Sequence, residues 1–187
     1  MRNIPGIKIP QIHWEISGTH LLAMDYIEGV RIDDVEAIRA FGLFTEDIAA
    51  LGFSAYVQQI FIDGLFHGDP HPGNLLVTRQ GEIAFLDYGI VGILRPERRH
   101  AFANLLLAMT MMDVVGVIAA LERLDVHINP ADLDSVKDEI YLILLDYREA
   151  RLGRVNLAAT IQGLTDTLRR YHIKVPSSLM LMLKVII

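Results

Sequence analysis

Two acidic residues and one amide stand at a spacing that suits phosphate and metal chemistry. Asp69 and Asn74 lie in the loop His67-Gly-Asp-Pro-His-Pro-Gly-Asn74, and Asp87 follows further along in Asp87-Tyr88-Gly89. Carboxylate and carboxamide oxygens are the ligands that Mg²⁺ takes, and a further carboxylate can orient a hydroxyl nucleophile. These residue types therefore indicate a centre that handles a metal, a phosphate group and an acceptor.

The segments around these residues predict a fixed loop followed by a β-hairpin. Two prolines and two glycines in the loop cannot continue a helix. The runs 75–78 and 82–86 then predict two strands joined by Arg79-Gln80-Gly81. Such a hairpin returns Asp87 to the end of the ribbon where the loop lies, so we expect Asp69, Asn74 and Asp87 to converge.

Upstream of the loop the sequence predicts a second β-hairpin and two helices. Residues 12–16 and 20–27 read as antiparallel strands around Ser17-Gly18-Thr19. Asp33 and Asp34 can cap a short helix that runs to Ala40 and stops at Gly42, and Thr45-Glu46-Asp47 can cap the next one. That second helix, 48–65, carries few polar residues, which predicts burial on most of its sides.

Downstream of Pro96 the pattern is helical throughout. The predicted helices cover 97–112, 114–124, 131–152, 156–171 and the residues from Ser177 onward. The apolar stretch 101–121 has the length of a bilayer span, but Asp113 near its middle favours a core helix.

The composition of the chain excludes several classes of protein and of functional site. A chain of 187 residues with 52% hydrophobic content can bury one core, which predicts a single globular unit. The net charge of −6 without a basic cluster argues against nucleic-acid binding. Because no cysteine is present, a disulfide scaffold, a Cys-ligated zinc site and a thiolate nucleophile are excluded.

The two motifs match those of protein kinases in order and spacing. Kinases carry H-x-D-x-x-x-x-N, a strand hairpin and then D-F-G, with the first Asp as base and the Asn and second Asp on metal. His67, Asp69 and Asn74 fit the first motif, and Asp87-Tyr88-Gly89 fits the second with Tyr in place of Phe. We expect His67 to brace the loop through hydrogen bonds rather than to take part in catalysis.

The residues within the two motifs resemble those of one protein family in particular. The loop 67–74 together with Phe85-Leu-Asp-Tyr-Gly-Ile-Val-Gly92 is similar to the AarF/UbiB (ABC1-type) atypical kinase-like family, associated with ubiquinone and other isoprenoid-lipid metabolism. Leu22-Ala-Met-Asp-Tyr-Ile-Glu-Gly29 looks like the last N-lobe strand and the hinge. The resemblance implies an α+β, mainly helical fold, with residues 1–29 as a remnant of the N-lobe and 30–187 as the C-lobe of one partial kinase-like domain.

The resemblance also implies a cofactor set and a role for each site residue. ATP and Mg²⁺ are the expected cofactors, with Asp69 orienting or deprotonating the acceptor. Asn74 and Asp87 would hold Mg²⁺ on the phosphates, and Asp25 and Ile27 would line the adenine pocket mainly through backbone groups. The acceptor stays open between a lipid, a protein and water.

Three departures from the kinase pattern modify this expectation. Gly68 replaces the Arg that many kinases pair with a phosphorylated loop, and His71 replaces their Lys, either to contact phosphate or to brace the loop. Before Leu21 the chain has only Lys8, in a stretch unlike the strand that carries the kinase lysine. We therefore expect a sequence truncated at both ends that does not turn over ATP alone, although the whole protein would be an enzyme.

Two other functions remain open at this stage. One is a nucleotide-binding scaffold of a lipid-biosynthesis complex, which the missing lysine favours. The other is a small-molecule phosphotransferase of the aminoglycoside or choline kinase type, which shares the His-Gly-Asp loop. We expect a cytoplasmic location, with lipid association and peripheral attachment of the whole protein to the inner membrane left open.

Overall fold

The structure, a computed structural model, describes residues 4–150 and 157–186. Its α+β architecture combines seven α-helices among these residues with a small sheet, as expected. Contacts divide the chain into two compact units, Met1–Val91 and Gly92–Ile187, and each unit is described by itself. The expected assignment of 1–187 to one partial kinase-like domain stays a prediction.

The first unit is built on a four-stranded sheet in the order β1-β5-β4-β2. The strands β4 (Leu75–Val77) and β5 (Ile83–Phe85) form the predicted hairpin, with β2 (Val30–Arg31) antiparallel to β4 and β1 (Ile7–Lys8) parallel to β5. Gly81, at φ 79°, supplies the left-handed residue of the hairpin turn. The pairing of β1 with β5 was not predicted, because it joins segments far apart in the sequence.

Two helices cover the sheet. They are α1 (Val35–Ala40) and α2 (Thr45–Val57). The Asp34 carboxylate accepts the Ala37 N–H at 3.0 Å, which confirms the predicted cap of α1. The apolar side chains of both helices and the hairpin form one core, made of Ile38, Ile48, Leu75, Val77, Ile83 and Phe85.

The second helix differs from its prediction in three ways. Thr45 is its first helical residue rather than its cap, and Phe44 stands at the cap position without a side-chain hydrogen bond. The α-helix ends at Val57, and a wider π-helical turn, Gln58–Asp63, continues to the left-handed Gly64. Phe53 and Ile62 are 65% and 63% exposed, so the segment is not buried on most sides.

The predicted N-terminal hairpin is present as an antiparallel ribbon without regular strands. Its bridges join Ile12 to Met24 and Gly18 to Leu21. The Ser17 hydroxyl accepts the Ala23 N–H at 3.0 Å and donates to the His13 carbonyl at 2.8 Å. The Ser17 side chain thus bonds backbone groups that would otherwise form hydrogen bonds between two β-strands. Regular strands therefore do not form here.

The first unit also contains the short strand β3 (Leu65–His67) and a 3₁₀ turn, Pro72–Asn74, and it ends within β6 (Val91–Ile93). The second unit contains the remaining helices. These are α3 (Pro96–Met111), α4 (Val114–Arg123), α5 (Leu133–Ala150), α6 (Leu157–Arg170) and α7 (Ser177–Ile186). The far end of the predicted helix 131–152 and the start of 156–171 fall outside the described residues.

The most membrane-like stretch of the sequence is interrupted. Met112 adopts a left-handed conformation at φ 59°, and the Asp113 carboxylate then accepts the Gly116 N–H at 2.9 Å as the cap of α4. Across residues 4–150 and 157–186, no helix combines the length and apolar character needed to cross a bilayer.

Candidate active site

The loop between β3 and β4 is fixed by its own hydrogen bonds. The His71 ring accepts the Gly73 N–H at 3.0 Å through Nδ1, and the Asn74 N–H donates to the His71 carbonyl at 2.8 Å. These bonds form the turn that leads into β4. They correspond to the bracing role of His71, one of its two predicted alternatives.

Asp69 and Asn74 contact each other directly. The Asn74 Nδ2 donates to Asp69 Oδ2 at 3.0 Å and lies 3.3 Å from the Asp69 carbonyl oxygen. The bond uses the nitrogen of the amide, so the other end of the amide, Oδ1, is the atom suited to a cation. A rotation that exchanged the two ends would place oxygen against oxygen, which fixes the orientation of this amide.

His67 links the loop to the segment that carries Asp87. Its Nδ1 accepts the Asp69 N–H at 3.3 Å, and its Nε2 lies against the Asp87 carbonyl oxygen, which can only accept. These partners require a neutral ring with its proton on Nε2. Burial lowers the pKa of His67, which keeps the ring in that neutral form. The expected bracing role of His67 is therefore confirmed.

Asp87 follows β5 in a tight turn. The Leu86 N–H donates to the Asn74 carbonyl at 3.0 Å, which joins the two motifs through the backbone. Asp87 Oδ1 accepts the Gly89 N–H at 2.7 Å. A Cβ added at Gly89 would lie 3.1 Å from that same oxygen, so the turn favours glycine. Asp87 itself is exposed.

An open cavity of about 650 Å³ lies beside Asp87. Its walls are mainly apolar residues of the N-terminal ribbon, among them Trp14, Leu22 and Met24, and residues 86–89 complete it. Mainly apolar walls with a few polar groups are typical of small-molecule sites.

The two predicted adenine residues do not line this cavity. Asp25 instead faces the first half of the ribbon, where its carboxylate accepts the Gln11 N–H at 3.1 Å and contacts His13 Nε2 at 2.9 Å. The bond from Gln11, followed by that from His13, lowers the pKa of Asp25. The Asp25 N–H donates to the Gln11 carbonyl at 3.0 Å, and Ile27 is buried. Their role at a nucleotide stays a prediction.

The donor set of the site suits a hard cation. Among the described residues no cluster of three or more His, Cys, Asp or Glu side chains could hold a metal. The predicted pair is of another kind, one amide oxygen of Asn74 and one carboxylate oxygen of Asp87, and such oxygens with water ligands are typical of Mg²⁺. The residues present therefore fit that ion.

The structure also accounts for the glycine that replaces the kinase arginine. The Gly68 N–H donates to the Ile90 carbonyl at 2.9 Å. A Cβ at this position would lie 2.8 Å from Ile90 Cγ2 and 3.2 Å from the Ile90 oxygen. A side chain at position 68 would therefore collide with the Ile90 side chain and press against the Ile90 backbone.

Lys8, the lone lysine upstream of the ribbon, does not reach this site. Its Nζ lies 3.7 Å from Glu82 Oε2, a carboxylate at the far end of the β4–β5 hairpin from Asp87.

Sequence reasoning missed three residues that surround His67. Gln59 Oε1 accepts the His67 N–H at 2.9 Å, the Tyr88 ring lies 5.2 Å from the His67 ring, and Tyr56 packs edge-on against Phe85. The signal available for Gln59 was its place as one of the few polar residues in a mostly apolar segment, and its complete burial is visible only in the structure. No spacing rule indicated the two tyrosines.

The fold and the site define a kinase-like class of protein. The model of the ABC1 atypical kinase-like domain matches residues 1–121. The chain therefore belongs to the ABC1 atypical kinase-like family, as the motifs indicated.

Two curated proteins are similar to most of this chain. The chain is 32% identical to the protein ACTIVITY OF BC1 COMPLEX KINASE 7, chloroplastic, of Arabidopsis thaliana, over 76% of this chain and 21% of that protein. It is 25% identical to the uncharacterized protein sll0005 of Synechocystis sp., over 94% of this chain and 26% of that protein. The chain thus spans about a quarter of the length of these curated relatives.

One solved structure shares the fold. The complex of Rv3197 with erythromycin from Mycobacterium tuberculosis superposes with a TM-score of 0.53 at 18% identity, covering 98% of this chain and 47% of that chain. This similarity shows the fold alone.

Proposed function

We propose that this chain carries the ATP- and Mg²⁺-handling part of an atypical kinase or ATPase. The observation that supports this most is the pair of bonds made by His67, which ties the Asp69 backbone and the Asp87 backbone to one ring. A loop that holds an acceptor base beside a turn that holds a metal ligand is the arrangement that phosphoryl transfer requires.

Each site residue has a distinct task in this proposal. Asp69 orients or deprotonates the acceptor, and Asn74 keeps the Asp69 carboxylate in place through its amide nitrogen. The oxygens of Asn74 and Asp87 hold Mg²⁺, which when bound neutralises charge on the phosphates. The adenine occupies the apolar cavity beside Asp87. Asp25 and Ile27, which do not line that cavity, would contact the nucleotide mainly through backbone groups, and because the Asp25 N–H already bonds Gln11, its carbonyl is the group proposed for that contact.

The acceptor and the pathway follow from the family alone. We propose a link to ubiquinone or another isoprenoid lipid, with a lipid, a protein or water as acceptor and a lipid surface as a partner of the whole protein. The name of the Arabidopsis relative, ACTIVITY OF BC1 COMPLEX KINASE 7, supports a kinase over a purely structural role.

A nucleotide-binding scaffold is the second candidate. The ion pair of Lys8 with Glu82 favours it, because this pairing holds the lysine at the end of the β4–β5 hairpin away from Asp87. The two candidates differ in turnover and share nucleotide binding.

Isothermal titration calorimetry of this chain with ATP, with and without Mg²⁺, tests the shared step. We expect Mg²⁺ to increase ATP affinity, and we expect Asp87→Asn to remove that increase while Asp69→Asn retains it. Asp47→Asn, at an exposed position on α2, is the matched control. An equal response to Mg²⁺ in Asp87→Asn and the control would contradict the metal assignment. In a longer chain that includes the N-lobe lysine, loss of turnover in Asp69→Asn separates the kinase from the scaffold.

A further inference from the structure

Three buried polar atoms of the first unit have no hydrogen-bond partner among the described residues. They are the hydroxyls of Tyr56 and Tyr88 and the Nε2 of Gln59. Leaving a buried donor unpaired costs about 1–3 kcal/mol, and the large majority of such groups in proteins are paired with protein or with ordered water. Three unpaired groups in one region therefore need an explanation.

All three side chains belong to the surroundings of His67. Gln59 bonds the His67 N–H at 2.9 Å, and the Tyr88 ring lies 5.2 Å from the imidazole. Phe85 lies 5.3 Å from the same ring on another side, and Tyr56 packs against Phe85 at 5.7 Å. Gln59 and Tyr88 thus contact His67 directly, and Tyr56 is joined to it through Phe85.

The chemistry of the three atoms is complementary. Gln59 Oε1 must accept from His67, so the amide cannot rotate and its Nε2 must donate. A tyrosine hydroxyl both donates and accepts. Burial raises the pKa of Tyr56, so its hydroxyl stays protonated at neutral pH. The Tyr56 ring is joined to the Asp69 loop through Phe85 and His67, because the His67 Nδ1 accepts the Asp69 N–H at 3.3 Å.

We propose that the hydroxyls of Tyr56 and Tyr88 and the Gln59 amide bind an internal water, and that this network makes Tyr56 a positioning residue for the Asp69–Asn74 pair. Internal waters typically make about three hydrogen bonds to groups that would otherwise be unpaired. Donors from three side chains meet that requirement, and the water would pass a hydrogen bond on toward the Asp69 loop. This inference rests on the proposed function, because Asp69 needs a fixed position only if it acts as the acceptor base.

The test needs neither ATP nor turnover. Tyr56→Phe and Tyr88→Phe each remove one hydroxyl and keep the ring, and Tyr26→Phe, at a site 92% exposed, is the matched control. Two quantities are measured: the urea midpoint of unfolding, and the NMR shift of the Asn74 side-chain amide that donates to Asp69.

If the network exists, Tyr56→Phe and Tyr88→Phe lower the midpoint because they break bonded hydroxyls, whereas the control leaves it unchanged. Tyr56→Phe also moves the Asn74 amide resonance toward that of a free amide, which a purely structural hydroxyl would not do. A midpoint that stays equal or rises in both variants overturns the network, since removal of a truly unpaired hydroxyl relieves a cost. An unmoved Asn74 resonance in Tyr56→Phe overturns the positioning role. Failure of Mg²⁺-ATP to bind wild-type protein would overturn the proposed function and leave both of these readouts intact.

Discussion

Asn74 donates its side-chain amide to the Asp69 carboxylate at 3.0 Å, within a single loop. The two ends of the Asn74 amide therefore have different roles. Its nitrogen bonds Asp69, and its oxygen is available for a cation. One amide thereby couples the position of the expected base to that of the expected metal ligand. A carboxylate in its place could not do both, because it has no donor.

Asn74→Asp should disrupt this pairing. Two carboxylates would then face each other at hydrogen-bond distance in a partly buried loop, and we expect the free energy of unfolding to fall by about 1–3 kcal/mol at pH 7. Urea denaturation measures the change. Asn129→Asp is the matched control, because the Asn129 Oδ1 accepts the Ala131 N–H and an aspartate can still accept it. Equal losses in the two variants would argue against a specific Asp69–Asn74 bond.

His67 should make stability depend on pH. Burial lowers its pKa, so below about pH 6.5 the unfolded state binds more protons than the folded state and stability falls as the pH falls. His67→Gln removes this titration, and by leaving buried groups unpaired it also lowers stability at pH 7.5 by about 2 kcal/mol.

Urea midpoints between pH 5 and 8 measure the effect of His67→Gln. The difference between wild type and variant should shrink toward the acid end. His20→Gln, at an exposed histidine, provides the comparison. A gap between wild type and His67→Gln that is the same at every pH would mean that His67 does not titrate as described.

Gly68→Ala should introduce a collision with Ile90. The new Cβ would lie 2.8 Å from Ile90 Cγ2, and we expect a loss of about 1–3 kcal/mol in the free energy of unfolding. Ile90→Ala should recover part of that loss in the double variant, and a double-mutant cycle measures the recovery. Gly18→Ala is the control, since its added Cβ meets no described atom within 4 Å. Additive effects at 68 and 90 would count against the contact.

Glu139 should stabilise the second unit by joining α5 to α6. Its carboxylate accepts bonds from Thr167 at 3.0 Å, Arg170 at 2.8 Å and Tyr171 at 3.2 Å. Burial alone would raise the pKa of Glu139, but the Thr167 and Tyr171 bonds and the Arg170 charge lower it below the ordinary value of 4.5. Stability from this group is therefore present above about pH 4.5 and lost as the pH falls through the folded-state pKa.

Glu139→Gln should lower the free energy of unfolding by about 1 kcal/mol at pH 7, a figure reduced for partial exposure of the carboxylate. The loss should shrink as the pH is lowered from 7 toward 3, because the wild-type carboxyl becomes protonated as the pH falls through its lowered pKa. Glu122→Gln, an exposed glutamate of α4, is the control for thermal denaturation at both pH values. A loss that persists undiminished at pH 3 would exclude charge as its cause.

Local signals account for the parts of the fold that were predicted from sequence. The Asp34 cap, the Gly81 turn and the limits of α4 depend on residues a few positions apart, so a short window contains their cause. The site motif was found for the same reason, since the Asp69–Asn74 bond lies within one loop.

The parts that were missed depend on distant contacts. The π-helical turn places Gln59 against the His67 N–H, and that bond is visible only after β3 has returned beside the helix. The parallel pairing of Ile7 with Ile83 likewise joins segments that no local pattern relates. Tyr88 packs against His67 and Tyr56 packs against Phe85, contacts that composition and spacing do not encode.

The position of the metal is the central claim of this account. In an NMR titration with Mn²⁺ in place of Mg²⁺ and ATP present, we expect paramagnetic broadening to concentrate on the signals of Asn74 and Asp87 and to spare those of Asp47. Asp87→Asn should abolish that broadening. Broadening centred elsewhere in the first unit, or equal in wild type and Asp87→Asn, would contradict the account.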